Sequence, residues 1–229
     1  MACAIARALR DGERVGVGVN SPVPAAAVLL AKRTHAPSLR FRLPGVEGAE
    51  PFLGSKEFFD FAQRGRLDVF FLSGVQIDAG GRINLHVLGD YHRPERRFPG
   101  AFGSAVLYPI VPRVILFRAE HSPRVFVPRV HFVSAAGTPD RVVTSLAVLG
   151  FDRGAGRLVL DSYHPGQSVE SVRAATGFDL PARPMVRETS PPSPEQLRVL
   201  RDEVYPMLAG VYPAFVAAML GAGPASSPR

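Results

Sequence analysis

The chain has 229 residues, 46% of them hydrophobic and 21% charged, which is the balance of a folded globular domain and excludes a disordered segment. That length suits one domain, or one large domain with a tail. The formal net charge is +7, yet 25 of the 27 basic residues are Arg, and no basic block is longer than RPERR at 93–97. Without an aromatic-interleaved RNA-binding motif, this charge does not make nucleic acid an expected partner. It suits a polyanionic small molecule equally well.

The first residues, MACAIARALRDG, have Ile5 and Leu9 four apart, which predicts a short helix stopped at Asp11-Gly12. They lack a basic segment ahead of a long apolar core, so no secretory leader is expected there. The single cysteine, Cys3, excludes a disulfide framework and a cysteine-based zinc site. The reducing cytoplasm is the expected compartment. RVGVGV (14–19) is a short β-rich run, followed by Ser21 as N-cap and Pro22 as first residue of a helix reaching about Thr34. SLRFRL (38–43) alternates as a strand does, completing a strand–helix–strand unit with a right-handed crossover.

KEFFDFAQRG (56–65) predicts a helix closed by Gly65, and LDVFFL (67–72) a strand covered on both faces. INLHVLG (83–89) is expected to fold back against LDVFFL across Gly80 and Gly81. RVILFRA (113–119) and RVHFVSA (129–135) are further strand candidates, and VVTSLAVLGFD (142–152) with RLVLDSY (157–163) forms a hairpin across RGAG. Ser168 caps one helix, and Ser193-Pro194-Glu195-Gln196 is a capping box opening another, with Leu197, Leu200 and Val204 on one face. Strands alternating with helices give an α/β class: a mixed, mostly parallel sheet flanked by helices, with antiparallel hairpins added. The main domain is expected over 1–205, with an apolar C-terminal extension over 206–229. PMLAGVYPAFVAAMLGAG (206–223) is too short for a membrane span and contains Pro213, so no membrane partner is expected. The closing GPASSPR is expected to be disordered.

Chemistry concentrates in VQIDAGGRINLHVLGDY (75–91). Gln76 and Asp78 share a strand phase, and Asn84 follows the glycine pair. In open α/β sheets ligands gather beyond the carboxyl ends of strands. Asp and Asn also satisfy turn backbone, whereas Gln76 has less turn logic, which tips the set towards a ligand cleft. Arg93, Arg96 and Arg97 precede PGAFGSA (99–105), where the loop from Gly100 to Gly103 can bring backbone N–H groups to a phosphate or an oxyanion. GVGVNSP is a second anion-binding candidate but lacks the dinucleotide spacing. The six histidines show no metal-ligand spacing, so no metal is assigned.

Taken together, DGERVGVGVNSPVPAAAVLLAKRTHAP, GRLDVFFLSGVQIDAGGRINLHVLGDYHRP, RRFPGAFGSA, HPGQSVESVRAATGFDL and PPSPEQLRVLR, in that order, resemble the β subunit of family I coenzyme A transferases, particularly the glutaconate CoA-transferase type of β chain. The resemblance covers residues 2 to about 205. It implies a CoA-transferase-like α/β fold, an obligate complex with an α subunit, coenzyme A as a substrate with no permanently bound cofactor, and Gln76, Asp78, Asn84, Gly100 and Gly103 around the acyl-CoA. In that family a β-subunit glutamate attacks the thioester, passing through an anhydride to a glutamyl-CoA thioester.

This chain departs from the pattern. The family's glutamate follows the second strand in an E-[SN]-G motif, whereas SLRFRLPGVEG puts Leu43 or Pro44 there. The nearest acid is Glu47, three or four residues on, which would serve only if the loop were rebuilt. Ala101 and Phe102 stand where transferases have a serine and consecutive glycines. The resemblance includes a branch that also lacks the glutamate, the two-subunit hydrolase opening a ring in CoA-linked steroid intermediates, whose α subunit supplies the carboxylate. That branch carries an arginine in the glycine loop where this chain has Phe102. A β subunit of a CoA-transferase-like enzyme is thus expected, with the ring-cleaving hydrolase subunit and a non-catalytic structural subunit as alternatives.

Overall fold

A computed structural model describes residues 1–49 and 54–221. The chain forms, in order, α1 (Ala2–Ala6), β1 (Arg14–Gly16), α2 (Pro22–Arg33), β2 (Arg40–Arg42), α3 (Ser55–Gln63), β3 (Val69–Leu72), β4 (Gln76–Asp78) and β5 (Ile83–Asn84). There follow β6 (Val87–Gly89), β7 (Pro94–Arg97), α4 (Ser104–Ile110), β8 (Arg113–Arg118), β9 (Phe126–Val127), β10 (Arg141–Thr144), β11 (Ala147–Asp152) and β12 (Arg157–Tyr163). The last elements are α5 (Val169–Ala174), β13 (Ala182–Glu188), α6 (Pro194–Val199), a π-helical turn over Leu200–Val204, α7 (Tyr205–Leu208) and α8 (Pro213–Leu220). They group into two units, one running from residue 55 to 191 and the other formed by residues 2–54 with those after 191.

In the smaller unit, β1 and β2 run parallel with Val15 opposite Phe41, and α2 crosses between them. Pro22 opens α2 at a position whose N–H would have no partner, and residues 24–31 are all buried. Ala and Leu at consecutive positions suit a helix apolar on every side. Ser21 precedes α2 but makes no side-chain cap. At the other end of the chain, Ser193 and Gln196 form the capping box of α6. Leu200 and Val204 are buried while Leu197 is 50% exposed, because the π-helical turn rotates the apolar face away from simple helical spacing. Leu208 and Val216 are buried, whereas Met219 and Leu220 stay half exposed. The disordered end expected over 223–229 lies outside the described residues. Among those residues no helix is long and apolar enough to cross a membrane.

The larger unit carries a mixed sheet in the order β13-β12-β11-β10-β8-β3. β3 pairs β8 parallel, and β8 pairs β10 parallel. β10–β11 and β11–β12 are antiparallel, and β12–β13 is parallel again. β3 is buried along its whole length, as its unbroken VFFL run requires. Phe58, Phe70, Leu107, Phe126, Leu149 and Leu160 anchor its core.

Two expectations change. INLHVLG does not fold back on LDVFFL. The chain leaves β3 at Ser73-Gly74 and makes β4, and the Gly80-Gly81 turn returns β5 against β4, with Gln76 opposite Asn84 and Ile77 opposite Ile83. A Cβ on Gly74 would lie 2.7 Å from the Gln76 carbonyl, so only glycine makes this exit. RVHFVSA holds no strand of its own. Its ladder place is taken by β9, parallel to β4, while Ala135 makes a single bridge to Ile83. The edge strand β13 has no signal in the sequence because five of its seven residues are exposed.

Candidate functional site

The end of β4 is polar and fully enclosed. Gln76, Asp78 and Asn84 are 3%, 0% and 0% exposed. Asn84 Nδ2 donates to Gln76 Oε1 at 2.9 Å and to the Val87 carbonyl at 2.6 Å. Its Oδ1 accepts from the amides of His86 and Val87. Gln76 Oε1 also accepts the His131 amide at 3.0 Å. Asp78 Oδ1 accepts from the amides of Gly80 and Arg82, and its Oδ2 pairs with Arg82 Nε at 2.8 Å. Buried amides and carboxylates persist only when so partnered. The expectation that these groups face a cleft is corrected in that respect: their oxygens and nitrogens are turned into the protein, and what they fix is three loops, at 79–82, 85–87 and 130–131.

Tyr108 of α4 completes the fixing. Its hydroxyl donates to the Gly81 carbonyl at 2.8 Å. Burial, followed by the negative charge of Asp78, raises its pKa far above the ordinary phenol value, so it remains a donor. Gly81 sits at φ +75°, where glycine is required both by the turn and by Pro139 packed against it.

The loop before α4 is the other half of the site. Gly100 and Gly103 have φ of +103° and +68°, and Phe102 between them is a non-glycine at φ 31°. Phe102 is 71% exposed, with its ring 5.8 Å from that of Phe59. Among the described residues, the amides of Gly100, Ala101, Phe102 and Gly103 donate to no protein group, while the Ala101 carbonyl accepts both the amide and the hydroxyl of Ser104. A strained loop with unengaged N–H groups is how an oxyanion-binding turn is built. A Cβ on Gly103 would overlap the Phe59 ring. Gly103→Ala is therefore expected to cost about 1–3 kcal/mol, read from urea denaturation midpoints, as either the ring or the loop is displaced.

The arginines stand apart from this loop's backbone. Arg96 lies over Phe98 and Arg97 over Tyr91, each 5.2 Å from the ring centroid. Together with Arg93 they remain exposed on and beside β7, a solvated cation–π hairpin. Glu47 belongs to the other unit, where it is exposed and lines a cleft of about 240 Å³ with Lys32, Arg33, Phe41 and Met207. Leu43, at the end of β2, is only 1% exposed.

Two residues that sequence reasoning left aside lie beside the glycine loop. His86 Nδ1 is 2.6 Å from Ser134 Oγ, and the same oxygen accepts the Leu85 amide at 2.7 Å. His86 Nε2 lies 3.5 Å from the point where a side chain on Gly100 would begin. The one available signal was His86 two residues after Asn84. Nothing local could pair it with Ser134, which is 48 positions away.

A mixed α/β sheet with a buried polar strand end and a donor-rich glycine loop defines a class of protein that binds developing negative charge on an acyl oxygen. The chain belongs to the coenzyme A transferase family: the sequence profile of that family, Coenzyme A transferase, matches residues 44–175. It is similar to the second of the two chains of 3-oxoadipate CoA-transferase from Pseudomonas knackmussii, with 29% identity covering 88% of this chain and 90% of that one. It is also 29% identical to the cholesterol ring-cleaving hydrolase IpdB subunit of Rhodococcus jostii, over 70% of this chain and 67% of the other. The solved structure of the decarboxylase AibA/AibB superposes with a TM-score of 0.79 at 29% identity, covering 87% of this chain and 91% of that chain.

Proposed function

We propose that this chain is the β half of a two-chain enzyme that acts on acyl-CoA thioesters by cleavage, hydrolytic or of a carbon–carbon bond, with the reacting carboxylate supplied by the partner α chain. The observation that carries this reading is at the end of β2: Leu43 is buried and apolar, and Pro44 has no acidic group, at the place of the transferase glutamate. Neither can hold an acyl or CoA group covalently, and transfer between two carboxylates needs such a holding point. Its relatives include a CoA-transferase subunit, a ring-cleaving hydrolase subunit and a decarboxylase, so the fold is found with more than one fate of the substrate.

Gly100 to Gly103 would receive the thioester oxygen through their free amides. Gln76, Asp78 and Asn84 would act from behind, by holding the loops rather than by touching substrate. Coenzyme A enters and leaves as part of the substrate.

The test is to co-express the chain with the neighbouring α-like gene and follow thioester loss and CoA exchange separately. The expected result is loss of thioester with no borohydride-sensitive CoA adduct on this chain. Glu47→Ala should leave the rate within about twofold, since surface substitutions away from a site are close to neutral. If Glu47→Ala removes an adduct that the unsubstituted complex forms, ordinary CoA transfer through Glu47 is the correct reading.

A further inference from the structure

His86 is held more firmly than a loop histidine needs to be. Its amide donates to Asn84 Oδ1 at 3.0 Å, and its carbonyl accepts the Phe98 amide at 2.8 Å. Its ring packs against Phe132, centroids 4.9 Å apart. Ser134, 7% exposed, then sets the tautomer. Ser134 Oγ already accepts the Leu85 N–H, and among the described residues its own proton has no acceptor other than His86 Nδ1. Nδ1 is therefore the acceptor, and the neutral ring carries its proton on Nε2. That Nε2–H has no partner within the described residues and lies over Gly100. By contrast, the buried His121 engages both ring nitrogens, with Thr144 and Thr176.

We propose that His86 contacts substrate, donating its Nε2–H to the thioester carbonyl oxygen of an acyl-CoA bound at the Gly100–Gly103 loop, and that Ser134 is the positioning residue that keeps this proton on Nε2. The inference rests on the proposed function and adds to it a side-chain donor that no glycine loop supplies. A hydrogen bond to an oxygen whose charge grows in the transition state raises turnover more than it tightens binding. It also accounts for the buried Asn84: the side chain that orients the His86 backbone sits one hydrogen bond behind the donor.

The experiment uses the complex of this chain with its α partner and the CoA thioesters of 3-oxoadipate and glutaconate as probes. His86→Ala is expected to lower kcat about 10²–10³-fold, the usual loss for one oxyanion donor, with KM changed by less than about threefold. His86→Gln, which can place an amide N–H near the same point, should recover at least about tenfold of that loss. The ¹⁵N spectrum of the histidine-labelled complex should show a protonated Nε2 and a bare Nδ1 for His86, with the tautomers mixed in Ser134→Ala, and acetyl-CoA should move the Nε2 resonance. If the unsubstituted complex consumes neither thioester, the proposed function falls, and this inference with it. If it turns over but His86→Ala keeps kcat within about threefold, or His86→Gln is no better than His86→Ala, only the role of His86 is overturned. Should His86→Ala fail to assemble, an Nε2 resonance unmoved by acetyl-CoA has the same force.

Discussion

Asn84→Ala is expected to be the most damaging single change at the site, lowering stability by about 3–5 kcal/mol in urea denaturation, because each buried polar group left unpaired costs about 1–3 kcal/mol. The removed amide serves Gln76 Oε1, the Val87 carbonyl and the amides of His86 and Val87. Solvent cannot take its place, since Asn84 has no exposed surface. Gln76→Ala should cost less, because its Oε1 answers only the Asn84 side chain and the His131 amide. The double variant should fall short of the sum of the two by about 1 kcal/mol or more, since both single changes break the same Asn84–Gln76 bond. Strict additivity would mean that the two side chains act independently and that the network does not hold the loops together.

The second large effect is acid sensitivity, centred on His121. This ring is 8% exposed, stacked at 4.2 Å on Phe126, and tied to Thr144 and Thr176. Thr176 gives its proton to the Val172 carbonyl, so His121 Nε2–H donates to it. Thr144 Oγ1 already accepts the amides of Leu146 and Ala147, which leaves it no capacity to take a second proton from the ring. Burial accordingly lowers the His121 pKa from 6.5 to about 4.

A folded pKa below the unfolded one means that the unfolded chain binds the proton first. Stability is then complete above the unfolded value and declines as the pH falls from about 6.5 towards 4. At about 1.4 kcal/mol per pH unit, the loss between pH 6.5 and 4.5 is about 2–3 kcal/mol. His164 shifts in the same direction, also through burial, and adds to the slope. Carboxylates such as Asp140, held low by Arg113 and Arg141 against their burial, lose their contribution only at lower pH, so the histidine window is separable. Urea unfolding at half-unit intervals should show this slope in the native chain, and a much flatter one in His121→Gln. An equal slope in the variant would remove His121 as its cause.

Much of the site was visible as residue types. The amide–carboxylate pair in QID, the asparagine beyond the glycine turn and the glycine loop all lie close together in the larger unit. Their orientation was not visible, because a strand-phase pattern tells which side chains share a face and not whether that face is covered. β9, two residues long, occupies the free side of β4, and with the 130–131 segment it encloses what looked like an open edge. The pairing of His86 with Ser134 was equally illegible, being a contact over 48 positions.

What the sequence determined by itself was local: proline at the start of α2, the capping boxes of α5 and α6, the apolar run of β3 and the parallel pair around α2. These follow from backbone sterics and from satisfying helix-end amides within a few residues, so the information is contiguous. The same holds for the absent acid after β2, which is a matter of identity alone. Tertiary structure decided what depends on distant partners: that β5 returns on β4, that β13 adds an exposed edge, and that the polar strand end faces inward. A buried polar atom takes whichever partner the fold brings within about 3 Å, and chain order does not record which one that is.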